Sequence, residues 1–264
     1  MIEARKLTKS FKGRVVLNQL NLEIQKGETI VIIGRSGCGK SVFLKHVIGI
    51  MKPDAGEVLV DGINVASLSL RDLNQMRMRF GMLFQSAALF DSMTVGENVG
   101  FALIEHTGLS GRAIRERVEE SLELVSLKGI QELKPSELSG GMKKRVGLAR
   151  AIVMDPKIVF YDEPTAGLDP VMTGVVDKLT IDLTKKLQIT SVVVTHDMNS
   201  VFRIADRIVM LHQGDIVQIG TPSEIKNSKN PLVQQFITGN AEGPISFMQK
   251  GDDYLEHLTA EIKE

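Results

Sequence analysis

GRSGCGKS, at residues 34–41, matches the pattern G-x-x-x-x-G-K-S/T of a phosphate-binding P-loop. A β-branched run at residues 28–33 precedes it and predicts a buried strand, and residues 41–48 carry apolar side chains at helical spacing. Such a turn aims consecutive backbone N–H groups at phosphate oxygens, and the helix that follows adds the positive end of its dipole. We therefore expect Lys40 to bind the β and γ phosphates of a nucleotide and Ser41 to ligate Mg²⁺. The loop by itself leaves a kinase, a GTPase and a transport ATPase open.

Composition limits the class of protein. A chain of 264 residues can form one domain, or a domain with a subdomain. Its 32 basic and 32 acidic residues give no net charge, which argues against a nucleic-acid partner bound through bulk charge. The single cysteine excludes an internal disulfide, and no apolar run approaches the roughly 20 residues of a membrane span. The first residues, MIEARK, do not form a signal peptide. We expect a soluble, cytosolic protein that reaches a membrane only through a partner.

Polar residues follow the predicted strands of the remaining chain. Strands are predicted near residues 80–84, 157–163 and 190–195, and helical patterns alternate with them, which indicates an α/β fold with a parallel sheet. These strands lead directly into four polar side chains, Gln85, Asp162, Glu163 and His196. Because ligands bind at the carboxyl ends of strands in open α/β sheets, we expect these side chains to meet the P-loop at one site. A turn-capping glutamine and a satisfied core histidine are the alternative interpretations of Gln85 and His196.

Residues 86–154 differ from this alternating pattern. Apolar residues recur at helical spacing between residues 114 and 125, with charged residues between them, which predicts an inserted helical subdomain. The strand patterns on either side of the P-loop predict an additional β subdomain. The apolar loop at residues 86–93 either packs within the helical subdomain or forms a groove that receives a helix of a membrane partner.

LSGGM, at residues 138–142, is the motif that narrows the class. Ser139 alone is typical of a helix N-cap, whose neighbouring N–H groups can also bind a phosphate. Together with the P-loop, Gln85, Asp162, Glu163 and His196 in this order, the motif makes almost the whole chain resemble the nucleotide-binding subunit of ABC transporters. The resemblance implies a P-loop NTPase core that binds and hydrolyses ATP with Mg²⁺. The family's signature commonly has glutamine where Met142 stands, and a thioether cannot make the hydrogen bonds of an amide.

The resemblance assigns a role to each matching residue. Glu163 becomes the catalytic base, His196 the switch histidine, Gln85 the residue near Mg²⁺ and the attacking water, and Asp162 and Ser41 the metal ligands, with Lys40 in both catalysis and nucleotide binding. Phe11 is either an edge aromatic that covers the sheet or, by the resemblance, the platform on which adenine stacks. The implied nucleotide-binding residues are Phe11, Gly34, Ser36, Gly37, Cys38, Gly39, Lys40, Ser41, Val42, Ser139, Gly140, Gly141 and Asp169.

Further motifs resemble one branch of the family. They are FQSAALFDSMTV at residues 84–95, EHT at 105–107, GMKKR at 141–145, TAGLDP at 165–170, FITG at 236–239 and GPI at 243–245. Together they resemble the ATPase of Mla-type systems, which move phospholipids between the inner and outer membranes of diderm bacteria. That resemblance implies a second copy of this chain, an integral-membrane permease, a periplasmic lipid-binding protein and, in some members, a small STAS-domain regulator. It places the subunit on the cytoplasmic face of the inner membrane.

Two other classes stay open. An importer ATPase for amino acids or another small solute would share every catalytic residue, and its copurifying partners would separate the two. A non-transport ABC ATPase acting on DNA or ribosomes commonly carries two such domains or a long coiled-coil insertion, and this sequence carries neither.

Two local expectations concern Cys38 and the tail. Cys38 stands beside Lys40 and a helix N-terminus, which both favour a thiolate, and the alternative is a small filler residue. We assign residues 1–238 to the ATPase domain and residues 239–264 to a C-terminal tail. Apolar residues between 254 and 262 recur at helical spacing, which favours docking on a neighbouring subunit over a solvated end.

Overall fold

A computed structural model describes residues 2–245 and contains two β-sheets. The central sheet has six strands in the order β10-β9-β3-β8-β7-β6. Its strands are β3 (Thr29–Ile33), β6 (Phe80–Leu83), β7 (Ile158–Asp162), β8 (Thr190–Val194), β9 (Arg207–His212) and β10 (Asp215–Gly220). The second, antiparallel sheet has the order β2-β1-β4-β5. Its strands are β1 (Ile2–Phe11), β2 (Arg14–Ile24), β4 (Ala55–Val60) and β5 (Ile63–Asn64).

Strand β3 lies in the middle of the central sheet and is buried along its whole length. Successive side chains of a strand point to opposite faces, so the five residues divide between two cores. Val31 and Ile33 belong to the core that also contains the helices of residues 95–152, and Ile30 and Ile32 belong to the core shared with the antiparallel sheet. This double burial explains why the strand is an uninterrupted apolar run.

The parallel register brings the strand ends together. β3 pairs with β8, β8 with β7 and β7 with β6, all in parallel, so their carboxyl ends lie along one edge of the sheet. The loop of residues 34–39 follows β3 at that edge and leads into α1 (Lys40–Val47). The residues that follow β6, β7 and β8 leave the sheet at the same edge.

The segment predicted as a helical subdomain contains α3 (Val95–His106), α4 (Gly111–Leu124) and α5 (Gly140–Ile152). Their buried apolar residues share the core that faces Val31 and Ile33. Asn98 is fully buried in α3, where its amide accepts a hydrogen bond from Phe90 N at 2.8 Å and donates one to Phe90 O at 3.1 Å. A buried amide therefore fixes the loop that precedes α3. Phe90 itself stays 45% exposed and packs on Phe101 with ring centroids 5.3 Å apart.

The remaining helices are α2 (Leu70–Arg77), α6 (Pro170–Leu187), α7 (Met198–Ile204), α8 (Pro222–Lys226) and α9 (Pro231–Thr238). Two details differ from the periodicity of the sequence. The spacing of Val171, Val175, Leu179, Leu183 and Leu187 predicts one apolar stripe along α6, yet Val171 is 77% exposed at the first turn. The pattern of residues 222–237 predicts one helix, but the chain forms two, because Pro231 starts a new helix capped by the Asn230 side chain.

The described chain ends by folding back on α9. The amide of Gln235 accepts a hydrogen bond from Ile245 N at 2.6 Å and donates one to Ile245 O at 3.2 Å, and the Ile245 side chain is buried. Ile245, which was predicted to belong to a tail, thus adds to the core of its own chain. The apolar positions predicted between residues 254 and 262 lie outside the described residues. Between residues 2 and 245, no helix is long and apolar enough to cross a membrane.

Candidate active site

The loop between β3 and α1 is compact because two of its glycines lie against other backbone. Gly34 has φ +146°, and a Cβ there would lie 2.2 Å from the carbonyl oxygen of Leu211 in β9. Gly39, the N-cap of α1, has φ 106°, and a Cβ there would lie 2.6 Å from the Leu17 side chain. Neither position tolerates a larger residue without displacement of its neighbours. Glycine at both positions therefore lets the loop fold between β9 and β2 at the end of the central sheet.

The Lys40 side chain folds back on this loop and is bonded to its main chain. Its Nζ donates hydrogen bonds to the carbonyl oxygens of Gly34 at 2.7 Å and Arg35 at 3.0 Å. Ser41 is exposed in the first turn of α1, and the half-buried Val42 follows it. An ammonium group and a helix N-terminus at the mouth of a glycine loop make a binding site for anions such as phosphate.

The buried environment of Cys38 contradicts the expectation of a thiolate. The residue is only 6% exposed, and burial raises the pKa of its thiol above the ordinary value, an effect that the nearby Lys40 charge offsets only in part. The Lys40 Nζ lies 4.0 Å from the Cys38 Sγ and is already bonded to the loop carbonyls. The sequence pattern showed the neighbouring charge but not the desolvation that outweighs it.

Glu163 and His196 form a hydrogen-bonded pair beside the loop. The Glu163 Oε1 lies 2.9 Å from the His196 Nδ1, and the His196 backbone N–H donates to Glu163 Oε2 at 3.4 Å. Glu163 has φ 49°, a left-handed conformation that is unfavourable for a non-glycine residue, and its N–H donates to the Val194 carbonyl at 2.8 Å. The end of β8 therefore holds both the backbone and the carboxylate of Glu163. A carboxylate paired with an imidazole in this way can accept a proton from water.

The carboxyl group of Asp162 has a pKa above its ordinary value. Burial raises the pKa of its carboxyl, the adjacent Glu163 charge raises it further, and Lys40 and Lys144 oppose the shift. Mg²⁺ prefers oxygen ligands and usually combines one or two carboxylates with waters and substrate phosphates. The carboxylate of Asp162 and the oxygens of Ser41 and Gln85 have the chemistry for this role, and the adjacent carboxylates of Asp162 and Glu163 favour a cation there. These residues therefore fit the metal.

A cavity of about 350 Å³ joins the phosphate loop to the glutamate–histidine pair. Its lining residues are Gly34, Arg35, Ser36, Lys40, Glu163, His196 and Phe236. Phe236 begins the FITG motif but was not predicted to be a site residue, because it reaches the cavity only through the packing of α9. The geometry combines cationic and N–H donors for phosphate with a base, as the transfer of a phosphoryl group to water requires.

Lys144 is a second residue that sequence reasoning missed. It is 5% exposed in α5, and its Nζ donates hydrogen bonds to the main-chain oxygens of Gln85 and, at 3.1 Å, Glu163. Burial lowers the pKa of its ammonium group, while the Glu163 and Asp162 charges raise it. One signal was available in the sequence. Lys144 stands between Gly141 and Leu148 at helical spacing, and both are buried, so the lysine falls on the apolar face of the helix.

The signature residues lie apart from this cavity. Ser139 caps α5, accepting a hydrogen bond from Met142 N at 3.3 Å, and Gly140 is exposed beside it. Gly141 is buried against α6, where a Cβ would lie 2.5 Å from the Met172 side chain. Asp169 is exposed and caps α6 through the N–H groups of Val171 and Met172. None of these residues lines the 350 Å³ cavity described above.

Phe11 also lies outside the lining of the cavity. It ends β1 with 41% of its surface exposed, and the Lys9 Nζ lies 5.7 Å from its ring centroid. An exposed aromatic ring in this position can accept a flat group by stacking.

The chain belongs to the ABC transporter family, because the family model described as ABC transporter matches residues 17–166. Its fold is that of a solved ABC ATPase. A dimeric structure of the ATP-binding cassette MJ0796 bound to ADP and Pi aligns with a TM-score of 0.77 and 33% identity, covering 84% of this chain and 99% of that one. The predicted fold class is therefore confirmed, and so is the predicted activity, an ATP-binding and ATP-hydrolysing subunit.

Two curated relatives are similar over nearly the whole of this chain. The intermembrane phospholipid transport system ATP-binding protein MlaF of Haemophilus influenzae is 42% identical over 258 residues, covering 98% of both chains. The probable ribonucleotide transport ATP-binding protein mkl of Mycobacterium leprae is 42% identical over 252 residues, covering 96% of this chain and 73% of the relative. The predicted resemblance to Mla-type ATPases is thereby confirmed.

Proposed function

We propose that this chain powers an ABC transporter that moves phospholipids between two membranes. The observation that carries the proposal is the end-to-end similarity to MlaF, 42% identity over 98% of each chain. The mkl protein, named for ribonucleotide transport, is equally identical but matches over only 73% of its length, so it is a weaker guide to this chain. An importer of amino acids or other small solutes is the alternative.

For the chemistry, we propose that Glu163 accepts the proton of the attacking water and that His196 holds that water and the γ-phosphate in position. Lys40 leaves the carbonyl oxygens of its own loop and binds the β and γ phosphates, while the loop N–H groups surround them. Ser41, Asp162 and Gln85 hold Mg²⁺, which when bound neutralises charge on the phosphates. Phe11 stacks on the adenine ring.

For the assembly, we propose a head-to-tail dimer of this chain in which each ATP lies between two copies. The exposed positions of Ser139, Gly140 and Asp169 support this arrangement, because they lie outside the cavity that Lys40 and Glu163 line. The MJ0796 cassette is described as dimeric. A residue set divided between two surfaces becomes one site when a second copy supplies the missing half.

For the partners, we propose an integral-membrane permease, a periplasmic lipid-binding protein and a small STAS-domain regulator, and no nucleic acid. The partly exposed Phe90 beside α3 offers an apolar contact for a permease helix. The chain would thus work on the cytoplasmic face of the inner membrane without binding lipid itself. We propose residues 1–238 as the ATPase domain, with residues 86–154 as its helical subdomain.

The substrate class can be tested on the native complex, purified in detergent through a tag on this chain and reconstituted into liposomes with a fluorescent phospholipid. We expect ATP-dependent transfer of the phospholipid to acceptor vesicles, and none with Lys40→Ala. Lipid mass spectrometry of the complex should find bound phospholipid. ATP-dependent accumulation of labelled ribonucleotides or amino acids, without lipid transfer, would overturn the proposal.

A further inference from the structure

Lys144 is a buried cation that donates hydrogen bonds to two main-chain oxygens. A buried ammonium group is costly unless its N–H groups are bonded, and here two of them bond Gln85 O and Glu163 O. These two oxygens follow different strands, β6 and β7, at the edge of the sheet where the site lies. One side chain therefore holds together the two loops that carry Gln85 and Glu163.

A second cation of α5 holds the same loop further on. Arg150 donates to the carbonyl oxygens of Ala87 at 2.6 Å and Ala88 at 2.7 Å. Both alanines have left-handed backbones, with φ 60° and φ 47°, which non-glycine residues keep only where the surroundings hold them. Helix α5 thus fixes the path of the loop after β6 at three carbonyl groups.

The same helix begins at the exposed signature. Ser139 caps α5 five residues before Lys144, about 7.5 Å along the axis at 1.5 Å per residue. A helix moves as a rigid unit over this length. A displacement of the exposed N-terminus of α5 is therefore carried directly to Lys144 and to the two oxygens that it binds.

We propose that Lys144 is a positioning residue that ties the N-terminus of α5 to the catalytic loops of its own chain. When a phosphate engages Ser139, Lys144 keeps the backbones of Gln85 and Glu163 at a fixed distance from the signature, so that the Glu163 carboxylate meets the water correctly. The proposal rests on the role of Glu163 as the base that was proposed above. Lys144 touches neither nucleotide nor water in this scheme.

The test compares Lys144→Met with Lys144→Arg and with the control Lys178→Met, a lysine on the exposed face of α6. We expect Lys144→Met to lower kcat about 10- to 100-fold, because small misplacements of a catalytic group cost about this much. KM, nucleotide affinity and the melting temperature should stay near those of the control. Lys144→Arg, which retains charge and donors, should restore most of kcat. A normal kcat in folded Lys144→Met, or a loss of kcat that Lys144→Arg does not restore, would overturn the proposal.

A double-variant cycle separates this proposal from the one on which it rests. In single-turnover measurements, Lys144→Met should cost little further rate in a Glu163→Gln background, because its effect passes through Glu163. Independent, multiplicative losses would overturn the positioning role while leaving Glu163 as the base. High activity of Glu163→Gln alone would instead overturn the role of Glu163. If Lys144→Met fails to fold, the folded Lys144→Gln variant decides: a loss of kcat above about tenfold without a change in KM supports the positioning role, and a normal kcat overturns it.

Discussion

Glu163 combines a left-handed backbone with two contacts to His196, and both features serve to hold one carboxylate still. Such a residue loses its function with little loss of structure when its proton-accepting oxygen is replaced. Glu163→Gln keeps the shape and the hydrogen bond to the His196 N–H but removes the base. We expect ATP hydrolysis to fall about 10²- to 10⁴-fold while ATP still binds. Steady-state phosphate release and equilibrium nucleotide binding measure the two quantities.

The matched variant for this experiment is Lys40→Ala. This substitution removes the ammonium group of the phosphate loop. Nucleotide binding itself should therefore weaken, whereas Glu163→Gln should leave it unchanged. Hydrolysis close to the wild-type rate in Glu163→Gln would show that another group takes the proton.

Cys38 gives a second prediction for a single residue. Burial raises the pKa of its thiol, so the thiolate fraction near neutral pH is lower than in a free cysteine, and it increases as the pH rises. Maleimide should therefore label folded protein more slowly than it labels free cysteine, and denaturant should remove the difference. Intact-mass spectrometry over time measures both rates. Labelling as fast as a free thiol at pH 7 would contradict the burial effect.

At the scale of secondary-structure elements, the contact of α6 with α7 holds the start of α7, which directly follows His196. Asp177 of α6 is 1% exposed and accepts hydrogen bonds from Ser200 Oγ at 3.0 Å and Arg203 Nη1 at 2.6 Å. Ser200 Oγ also lies 3.2 Å from Asp197 Oδ2, and Asp197 caps α7 directly after His196. This network joins the start of α7 to the long helix that Asp169 caps.

We expect Asp177→Ala to destabilise the fold by about 1–3 kcal/mol, because it removes a buried acceptor of two hydrogen bonds, one of them from a charged guanidinium. Arg203 is half-exposed and can turn to water, which limits the cost. Urea unfolding measures the change. Arg112→Ala, which breaks an exposed pair with Glu116, serves as the control and should change stability by less than about 0.5 kcal/mol. Equal effects of the two substitutions would show that the α6–α7 network is not a stabilising unit.

The elements also show what a sequence can predict. The P-loop, β7 and β8 were predictable because their signals are local, either a fixed spacing of glycine and lysine or a short apolar run that ends in a polar residue. Cys38 and Lys144 were not, since each depends on desolvation or on carbonyl groups from distant segments. Phe236 reaches the cavity through the packing of α9, which no sequence window contains.

At the scale of the whole molecule, the second half of the site is the open question. The resemblance to ABC transporter subunits implies that Ser139 acts on the phosphate held by the Lys40 loop of a second copy. In the described chain Ser139 is exposed and does not line the cavity around Lys40. The dimer proposed above accounts for this position of Ser139, because in a two-fold arrangement each copy can present its signature to the phosphate loop of the other.

This arrangement makes a prediction that only an assembly can satisfy. Lys40→Ala removes the ammonium group of the phosphate loop, and Ser139→Arg places a bulky side chain at the signature. Each variant alone should therefore be inactive in both sites of its dimer. A mixed dimer contains one site with both defects and one intact site. If subunits pair at random in an equal mixture, about half of the dimers are mixed, and about a quarter of the wild-type activity should return.

Each variant mixed with itself provides the control, and phosphate release after subunit exchange provides the measurement. No recovery in mixtures whose heterodimers are shown by native mass spectrometry would contradict the shared site, as would full activity in a strictly monomeric protein.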